Sequence, residues 1–199
     1  MNHTERKCAN TIVAIASSTG GPKALQTVLG GLPKDFPSPV VVVQHMPTGF
    51  TEVMAERLNN LCQMEVKEGE EGEYLMPGVI YIAKSGMHLT IKRTMAGKHI
   101  LQYLDAPNRE GVKPCANYLY ESLAECRFDR HICVVLTGMG SDGTAGIMAL
   151  KRKKECYVIS QDQATSAIYG MPKKVYEAGL SDIVLPLNEI SKEIIKMRG

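Results

Sequence analysis

Four consecutive valines, Val40-Val41-Val42-Val43, constrain the fold of this chain more than any other feature of its sequence. Successive side chains of a strand point to opposite faces, so an unbroken β-branched run needs apolar cover on both sides. Sheets of that kind are built from crossover connections, with helices packed above and below. The flanking sequence has the required pattern. Thr11 to Ser17 is a second apolar run, and behind it Leu25, Val28, Leu29 and Leu32 fall on one face of a helix. After the valines, Met46-Pro47-Thr48-Gly49 makes a turn, and Val53, Met54, Arg57, Leu58 and Leu61 continue as a helix.

The alternation resumes later in the chain. A helix is expected from about Pro114 to Cys126, with proline in the first turn. A buried strand follows at Ile132 to Leu136 and a helix at Gly143 to Lys151. Cys156 to Ser160 reads as a strand, Pro172 to Ala178 as a helix, Ile183 to Leu185 as a short strand and Glu189 to Met197 as a terminal helix. Between these halves, Val79 to Ala83, His88 to Arg93 and His99 to Leu104 are short β-rich runs separated by glycine-containing turns, which suggests an antiparallel insertion or edge hairpin. The expected fold is α/β: a three-layer, doubly wound, mostly parallel sheet with helices on both faces and an antiparallel hairpin insertion. With 199 residues, no repeat and no long linker, one domain with a core over about 11–197 is expected.

A net charge of +2 gives no reason to expect nucleic acid, and the basic cluster Lys151-Arg152-Lys153-Lys154 reads as a solvated helix end. Six cysteines form no C-x-x-C pair, and no Cys/His grouping has zinc-ligand spacing. Reduced thiols in a cytoplasmic setting are the natural reading. The N-terminal ten residues carry no apolar signal core, and no run approaches the ~20 apolar residues of a membrane span. No metal or cofactor is expected.

Ligands of open α/β sheets bind outside the carboxyl ends of the strands. Three polar groups fall there. Ser17-Ser18-Thr19-Gly20-Gly21 could present a serine to a cleft or simply cap a helix. His45 closes the valine strand and could act as a general base or be hydrogen-bonded in place. Gly138-Met139-Gly140-Ser141-Asp142-Gly143 spells G-x-G-x-x-G, with Asp162 twenty residues beyond Asp142, a formal dinucleotide-binding fingerprint. It does not occupy the first β-α unit, however. Asp142 would also set a carboxylate beside a pyrophosphate, whereas a carboxylate suits a partner that becomes positive, such as an imidazolium. Together the three ends supply a nucleophile, a base and an orienting carboxylate. The order Ser, His, Asp and the absence of G-x-S-x-G separate this from the α/β-hydrolase elbow.

The segments Ile15-Ala16-Ser17-Ser18-Thr19-Gly20-Gly21, Gln44-His45-Met46-Pro47-Thr48-Gly49-Phe50-Thr51 and Leu136-Thr137-Gly138-Met139-Gly140-Ser141-Asp142-Gly143 resemble the signature blocks of chemotaxis methylesterases, the CheB family. Lesser similarity includes Pro77-Gly78-Val79-Ile80-Tyr81-Ile82-Ala83 and Tyr169-Gly170-Met171-Pro172, so the resemblance runs from about residue 11 to the end. It implies a cytoplasmic protein-glutamate methylesterase, with Ser18 as nucleophile, His45 as base and Asp142 orienting His45. It further implies that the Met139 N–H and the Thr19 region bind the oxyanion. Methylated chemoreceptor cytoplasmic domains would be the substrate, and deamidation of receptor glutamines a second activity. Ser17 is the rival nucleophile. The sequence departs from the family at Ala16, where glycine is common, and at Val112-Lys113-Pro114-Cys115-Ala116-Asn117, which stands where His-Arg-Pro-Ser-Val-Asp is usual. The receiver domain typical of members has no counterpart in these residues. A stand-alone esterase would be active without phosphorylation. A monomer is expected. The competing readings are a catalytically silent receptor-docking scaffold and a dinucleotide-binding protein through Gly138, Gly140 and Gly143.

Overall fold

The computed structural model describes residues 10–197. The valine strand lies at its centre. Strands β1 (Thr11–Ser17) and β2 (Val40–Gln44) run parallel, with Val13 opposite Val40 and Ser17 opposite Gln44, and both are buried throughout. Alternation then divides their side chains between two cores. Val13, Ile15, Val40 and Val42 face helices α1 (Gly21–Gly30), α2 (Phe50–Asn59) and α6 (Leu187–Met197). Ala14, Ala16, Val41 and Val43 face α3 (Ala116–Leu123), α4 (Thr144–Lys151) and α5 (Met171–Glu177). Taking each of the four valines out of water is worth ~1.5–3 kcal/mol, enough to fix this strand at the centre.

The main sheet has the order β3 (Glu65–Glu68), β4 (Val79–Ile82), β2, β1, β7 (Arg130–Val135), β8 (Cys156–Gln161), β9 (Ile183–Leu185). All six pairings are parallel. The chain winds outward from β1 through β2, then returns to the other side of β1 at β7. That reversal opens a crevice at the carboxyl ends of β1, β2 and β7. The second sheet is the antiparallel hairpin β5 (His88–Arg93) and β6 (His99–Leu104), which packs its Leu89, Ile91 and Leu101 into the α3 side of the core.

Three local expectations are corrected. Val79–Ile82 belongs to the parallel sheet and not to the hairpin insertion, because it pairs with β2 through Val40 opposite Ile80. β3 has no counterpart among the expected strands: its Glu-Val-Lys-Glu sequence buries only Val66. Pro114 precedes the α3 N-cap Cys115 and so lies outside the first turn. Other features agree with the sequence reading. The five cysteines among the described residues are free thiols; Cys8 lies outside them. The basic cluster ends α4, where Lys151 pairs with Asp182 and Lys153 with Glu125. No helix among the described residues is long and apolar enough to cross a membrane.

Candidate active site

The last register pair of β1 and β2 is Ser17 with Gln44, so the two residues that follow, Ser18 and His45, leave neighbouring strand ends together. Neighbouring strands lie ≈ 4.8 Å apart, which puts these two positions within side-chain reach. Gln44 ties them in place. Its Oε1 accepts the Ser17 hydroxyl at 2.7 Å, and its Nε2 donates to the Ser18 and His45 carbonyls, each at 2.9 Å. The two adjacent serines differ in their surroundings. Ser17 is fully buried with its hydroxyl engaged, whereas Ser18 is half-buried at the mouth of the crevice.

β7 supplies the third corner. After it, Thr137 accepts the Ser18 N–H on its carbonyl at 3.0 Å and donates its hydroxyl to the Thr19 carbonyl at 2.9 Å. Thr137 in turn hangs from Gln161 of β8, whose Oε1 accepts the Thr137 N–H at 2.8 Å. The chain then turns through Gly138 to Gly143, sewn to the 168–171 segment by the bonds of Gly138 with Ile168, Gly170 and Met171. Gly20 and Gly143, the N-caps of α1 and α4, have φ of 82° and 95°. A side chain is strained in that left-handed region, so glycine is what lets each loop break sharply from strand to helix.

Asp142 points from this loop back across the crevice. Its Oδ2 lies 2.7 Å from His45 Nε2 and accepts the Ala116 N–H at 2.6 Å, while Oδ1 accepts the Asn117 N–H and the Cys115 Sγ–H, both at 3.0 Å. The carboxylate therefore sits on the amides that begin α3, where a helix favours negative charge. Burial alone would push the Asp142 carboxyl up. Hydrogen bonds from His45, Cys115 and Ala116 outweigh it and hold the group below the ordinary carboxylate range. An ionised Asp142 accepts only, so its contact places a proton on His45 Nε2 and leaves Nδ1 outside that contact.

Cys115, the thiol beside Asp142, is buried and serves that carboxylate as a hydrogen-bond donor. Burial, reinforced by the adjacent Asp142 charge, pushes its thiol up to about 12, so it stays protonated as a donor. Among the described residues the backbone N–H groups of Thr19 and Met139 donate to no protein acceptor, and both residues are exposed. A cavity of about 560 Å³ adjoins His45, lined by Pro47, Thr48, Asn108, Val112 and Lys113. The dinucleotide reading loses its acidic partner: Asp162 Oδ1 accepts the N–H and hydroxyl of Thr165 in its own turn. His88, His99 and His131 stay out of the crevice, with His88 held between the Pro107 carbonyl and the Cys115 N–H.

Gln44, Thr137, Gln161, Asn117 and Glu110 were missed in the sequence. Only Gln44 gave a signal, a polar residue closing an otherwise apolar strand. Thr137 and Gln161 meet across 24 residues and Asn117 reaches Gly143 across 26, so those partners are remote in sequence.

A sequence profile of the CheB methylesterase family matches residues 13–194. The chain is 46% identical over 188 residues to a protein-glutamate methylesterase/protein-glutamine glutaminase of Geobacillus kaustophilus, covering 94% of this chain and 54% of that protein. It is 42% identical over 195 residues to the enzyme so named in Thermotoga maritima, covering 98% of this chain and 56% of that protein. The crystal structure of the Thermotoga maritima CheB methylesterase catalytic domain superposes with a TM-score of 0.91 at 41% identity, covering 95% of this chain and 99% of the other. The chain thus spans about half the length of the curated relatives it matches.

Proposed function

Because this chain belongs to the CheB methylesterase family, we propose that it hydrolyses γ-methyl esters of glutamate side chains on chemoreceptor cytoplasmic domains, with Ser18 as nucleophile. In this reading His45 Nδ1 takes the Ser18 hydroxyl proton as Oγ attacks the ester carbonyl. The resulting oxyanion is met by the N–H groups of Met139 and Thr19, which have no competing protein acceptor among the described residues. The proton on His45 passes to the departing methanol, leaving an acyl-enzyme at Ser18. Water, deprotonated by His45, then releases glutamate and restores the serine. Asp142 keeps the ring in the required tautomer and stabilises the imidazolium as it forms. The observation that carries the reading is the 2.7 Å contact of a buried, anionic Asp142 with the residue that follows Gln44 on the neighbour of the Ser18 strand.

Amide hydrolysis at a receptor glutamine uses the same steps with ammonia as leaving group, and the printed name of the relatives includes that glutaminase activity. The test is release of tritiated methanol from receptor membranes carrying labelled methyl esters, by the wild type and by Ser18→Ala. Release lost in Ser18→Ala supports the reading. Equal release from both variants refutes the assignment of Ser18, and binding of membranes with no release by the wild type favours a docking scaffold.

A further inference from the structure

Two helices beside the crevice exchange their caps. A helix start leaves its first amides without partners. Asp142, just before the N-cap glycine of α4, accepts the Ala116 and Asn117 amides that open α3. Asn117, in the first turn of α3, returns the arrangement: its Oδ1 accepts the N–H of Gly143 at 3.1 Å and of Gly146 at 2.7 Å, at the start of α4. Neither residue can shift without uncapping the other's helix.

Asn117 is fully buried, and its remaining polar group reaches outward. Nδ2 donates to Glu110 Oε1 at 2.6 Å, while Glu110 Oε2 accepts the hydroxyl of Ser141, the neighbour of Asp142, at 2.8 Å. Glu110 is the one non-glycine residue among those described with a left-handed φ, 54°. A side chain resists that conformation, and the two bonds of its carboxylate hold it there. The hydrogen bonds thus close a circuit from Glu110 through Asn117 to the start of α4, and through Ser141 back to Glu110, with Asp142 inside it.

We propose that Asn117 and Glu110 are a positioning pair for the Asp142 carboxylate, which needs one donor and one acceptor between them, here the donor at 117 and the acceptor at 110. The inference rests on the assignment of Asp142 as the residue that orients His45. A carboxylate at 117 would keep both amide bonds to α4 but would face Glu110 with no proton between them. Like charges at that distance repel, and the loop carrying Asp142 must then move.

The test compares Asn117→Asp, Glu110→Ala and the exchanged pair Glu110→Gln with Asn117→Asp. In the exchanged pair the new glutamine amide donates to the new carboxylate at position 117, restoring a bond in the opposite sense, while the glutamine carbonyl still accepts Ser141. With tritiated receptor membranes at varied concentration, Asn117→Asp and Glu110→Ala should each lower kcat about tenfold with KM changed less than about twofold. The exchanged pair should recover most of that loss. The low-field proton resonance of the His45–Asp142 hydrogen bond gives a readout that needs no substrate. It should shift or broaden in Asn117→Asp and return in the exchanged pair. The proposal is overturned if Glu110→Ala keeps full kcat, or if the exchanged pair recovers neither kcat nor resonance. Ser18→Ala, run alongside, separates failure of the esterase reading from failure of the pair, because it alters turnover and leaves the resonance in place.

Discussion

Cys115 donates its thiol to Asp142 across 3.0 Å, so the cysteine beside the candidate base system is bound to its carboxylate as a hydrogen-bond donor. With the thiol held at about 12, alkylating reagents at neutral pH should leave native Cys115 unmodified and turnover intact. Peptide mapping after iodoacetamide treatment checks this, with the half-buried Cys62 as the more accessible comparison. Labelling of Cys115 with parallel loss of activity would contradict the assignment.

Replacing Cys115 tests the same contact from the other side. Serine keeps a donor toward Asp142 Oδ1, whereas alanine removes it. We expect Cys115→Ser to retain activity and Cys115→Ala to lower kcat by roughly three- to tenfold, the loss of one donor among four to a buried carboxylate.

The two adjacent serines should separate cleanly. Ser18→Ala is expected to cut turnover by at least about a thousandfold with little change in thermal stability. Ser17→Ala should do the reverse. It leaves Gln44 Oε1 buried without its donor, which costs ~1–3 kcal/mol by denaturant titration, while substantial activity remains.

Asp142 also sets a pH dependence of stability. Its folded carboxyl is held below the ordinary range, so its contribution is present above the unfolded value of ~3.9 and is lost as pH falls through the folded value. Unfolding free energy measured from pH 6 downward should therefore fall less steeply in Asp142→Asn than in the wild type. An unchanged slope would mean that the carboxylate is not stabilised as an anion.

Gly138 is a site of close approach: a Cβ there would come within 2.7 Å of Ser18 Cβ. Gly138→Ala should consequently displace the turn that carries Ser18 and depress kcat about tenfold or more. Methanol release measured beside a melting curve distinguishes this from simple unfolding.

Much of this architecture was legible because burial writes itself into short stretches of sequence. Val40 to Val43 read as a strand buried on both faces, Ser18 and His45 stood out as polar residues just past apolar runs, and Asp142 stood out as a carboxylate in the glycine-rich loop after a third. β3 was silent because an edge strand with one buried residue has no apolar pattern to read. Val79–Ile82 looked like its hairpin neighbours because periodicity carries strand identity and not pairing direction. The supports of the site were hidden for a different reason. Gln44 meets Ser17 across 27 residues and Thr137 meets Thr19 across 118, and such bonds exist only once the sheet has been ordered.

The two outer strands bear on behaviour in concentrated solution. An open sheet exposes unpaired amides and carbonyls along its rims, and those rims can recruit a strand from another molecule. Here one rim is the four-residue β3, with Glu65, Lys67 and Glu68 along it, and the other is the three-residue β9. Brevity at both rims and charge at one leave little template for intermolecular β-addition. The same short, charged segment that concealed β3 from a reading of the sequence thus guards the folded protein against aggregation through its sheet.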